Sequence, residues 1–182
     1  MRKLFFSIAF MLVVGLLVHS CWSLITERVP AANLLSLKHA RLYMSEPDQK
    51  LIMPLRSVRV RHVKDSWHAP RDGERMHQGQ DIFAPRGTPI HSATEGYVVR
   101  IGENRLGGQT ISVLGAGGRV YYYAHLDSYA PSLDVGDYVT PETVLGAVGT
   151  TGNAKNTSPH LHFGVYAATG AINPLPLLAD RS

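Results

Sequence analysis

From Leu51 onward the sequence runs in short β-type stretches split by turns, with glycine clusters at 107–108, 115–118 and 149–152 marking three of the breaks. The stretches are 57–62, 89–92, 97–101, 109–114, 119–124, 138–139 and 161–166. This rhythm predicts an antiparallel, mostly β domain over residues 51–178. Seventeen glycines and eleven prolines point the same way, favouring turns and short strands over long helices.

A length of 182 residues gives room for one domain with a real core plus a tail. The net charge is +4, of which Arg2 and Lys3 supply two units; residues 27–182 carry 16 basic and 14 acidic side chains. That balance is too weak for a nucleic-acid partner, which calls for a clustered basic footprint. A local basic bias (Arg56, Arg59, Arg61, Lys64, Arg71, Arg75, Arg86) reads as solvated surface, the alternative being a rim that attracts an anionic polymer. The single cysteine, Cys21, excludes an intrachain disulfide and a thiolate metal site in the main domain.

Residues 1–25 read as a signal-anchor or signal peptide. Arg2 and Lys3 precede an apolar run over residues 4–18, which reaches Ile25 if His19, Ser20 and Ser23 sit near the interface. Trp22 would then lie in the aromatic belt, and the positive end would keep the rest of the chain outside the cytoplasm. Cys21 stands where a lipoprotein cysteine would be lipidated, although His19 fits that pattern poorly. Residues 26–50 read as a stem, with Leu34, Leu35, Leu37 and Leu42 at partly helical spacing and Pro47-Asp48 ending the helix.

The chemistry concentrates in two short patterns, His77-Gln-Gly-Gln-Asp81 and His160-Leu-His162, with His125 between them. Three such side chains suit a zinc ion and two histidines are left over, the count of a catalytic zinc with one open position. Alternation along a strand sends residues 160 and 162 to one face and Leu161 to the core. His19, His39, His62, His68 and His91 read as ordinary surface or core histidines. Tyr121, Tyr122 and Tyr123 read as alternating across a strand.

These residues resemble the lysostaphin-like (LytM-type) zinc endopeptidases that cut peptidoglycan. The resemblance runs from about Pro54 to Pro174. It includes His77-x-Gly79-x-Asp81, Ala84-Pro85-x-Gly87-Thr88-Pro89, Gly96-Tyr97-Val98-Val99 and Tyr123-Ala124-His125-Leu126. Further on come Gly136-Asp137-x-Val139, Gly146, Gly149, Thr151-Gly152, Pro159-His160-Leu161-His162-Phe163 and Asn173-Pro174. Two departures are Gln80, where the family usually has an apolar residue, and His91; neither removes a ligand.

The resemblance implies a zinc groove on the β-sheet domain (a lysostaphin-type, duplicated hybrid motif), preceded by an N-terminal hydrophobic helix. It implies one Zn²⁺ held by His77, Asp81 and His162, with His125 and His160 as catalytic residues whose division of labour stays open. Loops 104–108, 127–134 and 150–158 are expected to wall the groove. The expected protein is a monomeric endopeptidase of the cell envelope, held to the membrane by its N-terminal segment, that hydrolyses peptide cross-links of peptidoglycan. One alternative is a non-catalytic module that binds the wall or activates another hydrolase. Another is a zinc peptidase acting on proteins.

Overall fold

The computed structural model describes residues 31–71 and 74–181. The signal-anchor reading of residues 1–25, Cys21 included, falls outside them. Among the described residues no helix is long and apolar enough to cross a membrane. The chain divides into compact units of residues 1–38 and 39–182, and the β domain lies in the second. A helix, α1 (Ala31–Tyr43), occupies the stretch with partly helical leucine spacing.

The domain is mostly β. Its strands are β1 (Leu51–Ile52), β2 (Gln80–Phe83), β3 (Pro89–His91), β4 (Gly96–Asn104), β5 (Gly108–Leu114), β6 (Val120–Tyr129), β7 (Tyr138–Val139), β8 (Val144–Val148), β9 (His160–Ala167), β10 (Gly170–Ile172) and β11 (Leu178–Ala179). Among the described residues, nine of them, β2 to β10, form one antiparallel sheet, while β1 and β11 pair in parallel. The stretch 57–62 does not form a strand. Val58 N–H bonds back to the Leu55 carbonyl and His62 N–H to that of Arg59, giving a turn and a 3₁₀ segment at Val60–His62. Asp180 holds it there, accepting the Val60 N–H at 2.7 Å.

β6 organises the sheet because it changes partners along its length. Residues 120–124 pair with β9, and from Leu126 the strand pairs with β8. At the changeover stands His125, with φ 64° in the left-handed region. Its N–H donates to the Gly107 carbonyl at 2.8 Å, and the β5–β6 register shifts between Gln109 and Ile111. Such an irregularity bends a strand and re-aims its side chains. Here it turns Ala124 and His125, consecutive residues, towards the same groove.

One core lies behind the sheet. Tyr121 and Tyr123 of β6, Leu161, Phe163 and Val165 of β9, and Ile111 and Val113 of β5 are all fully buried. Each such side chain contributes roughly 1.5–3 kcal/mol by leaving water. The two buried tyrosines also find hydrogen-bond partners. Tyr121 OH donates to Asp48 Oδ2 at 2.7 Å, and Arg119 donates to the Asp48 carbonyl at 2.6 Å. Burial and the Asp48 carboxylate both push the Tyr121 hydroxyl pKa up, so the phenol stays a donor. Tyr123 OH accepts the Ala93 N–H at 2.8 Å, and burial pushes its pKa up to about 12. Tyr123→Phe should therefore lower stability by about 1–3 kcal/mol, because the buried Ala93 N–H loses its acceptor. Denaturant unfolding of the two proteins checks this.

Candidate metal centre

β2 and β9 bring the first two ligands together. Their register sets Asp81 opposite His162 and Phe83 opposite His160. Directly opposed residues on one face meet side by side, so carboxylate and imidazole converge without any special loop. Leu161 and Phe163 point into the core, as alternation requires. His77 comes from the segment just before β2, and the chain between it and Asp81 passes under the His162 ring. A Cβ at Gly79 would lie 2.6 Å from His162 Cε1 and 2.7 Å from the Phe163 carbonyl oxygen. Only glycine fits.

Three donor atoms form a small triangle. His77 Nε2 lies 2.8 Å from His162 Nδ1 and 3.1 Å from Asp81 Oδ1, and His162 Nδ1 lies 3.1 Å from the same oxygen. Ligand atoms about 2.0–2.1 Å from a tetrahedral zinc sit roughly 3.3 Å from one another. The chemistry fits as well as the spacing. His77 Nδ1 donates to the Ser66 carbonyl at 2.7 Å. In the neutral ring, Nε2 then aims a lone pair at a carboxylate oxygen, a repulsive contact unless a cation lies between them. Burial lowers the His162 pKa, opposed by Asp81, which favours the neutral ligand form. Burial alone would raise the Asp81 pKa, but wherever His162 and His77 carry a proton towards it, their hydrogen bonds and charges outweigh burial and hold the carboxylate well below its usual range. The Asp81 N–H donates to Ser66 Oγ at 3.0 Å, and the Arg71 guanidinium pairs with Oδ2.

His125 and His160 stand beside the triangle, with ring centroids 4.9 Å apart. His160 Nε2 is 3.9 Å from Asp81 Oδ1. Each ring donates its Nδ1 proton to a backbone carbonyl, His125 to Thr151 at 2.9 Å and His160 to Ser158 at 2.8 Å. Each therefore keeps Nε2 free for chemistry. Burial, then the neighbouring His160, pushes the His125 pKa down to about 4, so that ring is neutral at neutral pH.

All five side chains line one open groove of about 850 Å³. Its walls include Phe83, Tyr122, Leu106 and Thr157. Segments 104–108 and 150–158 contribute to these walls, as expected, but none of residues 127–134 lines the groove. β6 continues to Tyr129 and carries that segment away along β8. His68 stacks on Trp67, and His91 accepts from Arg56 Nε at 3.0 Å; neither lines the groove. Of the basic residues read as solvated surface, Arg56, Arg59 and Arg86 pair with Glu142, Asp180 and Asp127, whereas Arg71 and Arg75 line the groove. Sequence reasoning missed the roles of Arg71 and Ser66, which no motif marks, and saw Thr151 only within the Thr151-Gly152 motif, not as the partner of His125.

A model of peptidase family M23 matches residues 75–174, more than half of the chain and all five clustered side chains. The chain belongs to peptidase family M23. It is 37% identical over 115 residues to the L-Ala–D-Glu endopeptidase of Bacillus subtilis, a match covering 58% of this chain and 35% of that protein. Lysostaphin of Staphylococcus simulans is 36% identical over 109 residues, covering 57% of this chain and 21% of that one. The match thus spans about a third or less of these curated relatives. Among solved structures, the catalytic domain of lysostaphin from Staphylococcus simulans superposes with a TM-score of 0.55 at 31% identity, over 64% of this chain and 92% of that one. Helicobacter pylori Csd3 gives 0.58 at 30% identity, over 73% and 35%. With this membership, His77, Asp81 and His162 constitute a single M23 zinc site.

Gly79→Ala tests the packing of that site. The added methyl must displace the His162 ring, and zinc affinity should fall at least about tenfold, in line with changes that disturb a ligand's orientation. Competition against a chromophoric chelator measures it.

Proposed function

We propose that this protein is an exported, membrane-associated zinc endopeptidase that hydrolyses peptide cross-links of bacterial peptidoglycan, with His125 and His160 as its catalytic residues. The observation that carries the reading is the convergence of three metal donors and two free imidazole Nε2 atoms in one open groove. A bound Zn²⁺ supplies Lewis acidity and a water whose pKa is lowered to about 7. The protein's own residues do the rest. The Thr151 and Ser158 carbonyls fix each catalytic ring in one tautomer. An imidazole presented through Nε2 can take a proton from the attacking water and return it to the leaving amine. In its protonated form it also stabilises the tetrahedral oxyanion. The groove is open, and Phe83, 5.1 Å from His160 between ring centroids, gives it an apolar wall beside that imidazole.

Peptidoglycan as substrate is supported by the relatives, which include an L-Ala–D-Glu endopeptidase and lysostaphin. Export is supported by the positive-then-apolar order of residues 2–18, which would hold the domain facing the wall. The end of the stem fits a spacer. Asp48 is clasped by Tyr121, Thr94 and Arg119, and none of residues 39–50 lines the groove.

The test is digestion of purified peptidoglycan by zinc-loaded protein, with released fragments identified by mass spectrometry and His162→Ala as control. New peptide ends absent from the control are expected. One bound zinc with no cleavage would overturn the enzyme reading in favour of a regulatory module. His125→Ala and His160→Ala should each keep zinc and lose about 10²–10⁴-fold in turnover. Metal analysis alongside the digest separates these two effects.

A further inference from the structure

Gln80 sits between the two ligands of the first motif and is fully buried. Asp81 beside it faces the groove, whereas Gln80 points to the other side of the strand. A buried primary amide is tolerated only when its hydrogen bonds are made, and here they are. Oε1 accepts from Ser66 N–H at 2.9 Å and from Ser66 Oγ–H at 3.1 Å. Nε2 donates to Asp65 Oδ1 at 2.7 Å and to Asn173 Oδ1 at 3.1 Å. Turning the amide over would set its oxygen against two oxygens and its NH₂ against an N–H, so its orientation is determined.

The residue that Gln80 grips is the one that touches both ligands. The Ser66 carbonyl takes the Nδ1 proton of His77, and Ser66 Oγ takes the backbone N–H of Asp81. Gln80 is itself held from outside. Asp65 Oδ1 also accepts Trp67 N–H at 3.0 Å, and Asn173 Oδ1 also accepts Leu175 N–H at 3.0 Å. One amide thus ties segments 65–67 and 173–175 to the ligand strand. We infer that Gln80 is a positioning residue of the metal centre: acting through Ser66, it fixes the tautomer and aim of His77 and the backbone that carries Asp81. This rests on the zinc reading of the site. Satisfied buried polar networks are rigid, and outer partners of metal ligands typically change metal affinity 10–100-fold when removed.

The experiment measures zinc affinity of the full chain by chelator competition, together with the imidazole N–H resonance of His77 by ¹⁵N-edited NMR. Gln80→Leu should weaken zinc by about 10–100-fold and bring the His77 Nδ1 proton into rapid exchange. Because Gln80 is buried, exposed Asp65 provides a second route that leaves the core intact. Asp65→Ala should weaken zinc several-fold, whereas Asp65→Asn, which keeps the acceptor and removes the charge, should retain the wild-type value. Unchanged affinity in Gln80→Leu and Asp65→Ala, even with a lowered melting temperature, would reduce Gln80 to a structural clasp and overturn the inference. Equal losses in Asp65→Ala and Asp65→Asn would trace the effect to charge and overturn it too. Neither readout depends on turnover, so failure here is distinct from failure to cut peptidoglycan.

Discussion

Asp81 meets His162 because β2 lies against β9 in one register, and that register is enforced by the core. A slip of one residue would set Leu161 or Phe163 towards the groove and drive both histidines of β9 into a layer that is otherwise apolar. Burying those imidazoles without partners would cost several kcal/mol, on top of exposing two large side chains. Folding and metal-site assembly are therefore selected by the same apolar contacts. Two ligands and one further histidine come into place once Leu161, Phe163 and Val165 are packed.

Of the two remaining histidines, His77 lies just before β2, and His125 is placed by a different device. His125 occupies a left-handed conformation at the point where β6 leaves β9 and joins β8. Such a conformation is unfavourable for a side chain larger than glycine. It is held by the Gly107 carbonyl on one side and the Thr151 carbonyl on the other. Thr151 is anchored in turn, its hydroxyl donating to the Leu126 carbonyl at 2.8 Å and accepting Gln109 N–H at 2.9 Å. The sheet bends at the residue whose ring faces the metal donors across the groove.

Much of this was legible in the sequence. Alternation placed His160 and His162 together, and glycine clusters marked the turns that separate the strands. Stretches with strong β-branched or aromatic content, such as 109–114 and 161–166, formed strands. Stretch 57–62 misled, because its alternating valines and arginines read as a strand while its backbone is held by a turn and by distant Asp180. The supports of the metal centre were not legible either. Ser66, Thr151 and Ser158 orient imidazoles through main-chain carbonyls, which every residue possesses and no motif records. Arg71 was hidden among surface arginines, since only the folded loop reveals that it reaches Asp81.

The short parallel pairing of β1 with β11 sets Leu51 beside Leu178. Neighbouring strands lie about 4.8 Å apart, so the chain enters and leaves the β domain at adjacent points. Closely spaced ends are what domain insertion and circular permutation require. Transplanted into a surface loop of an unrelated host, this fold would need little linker to bridge the junction.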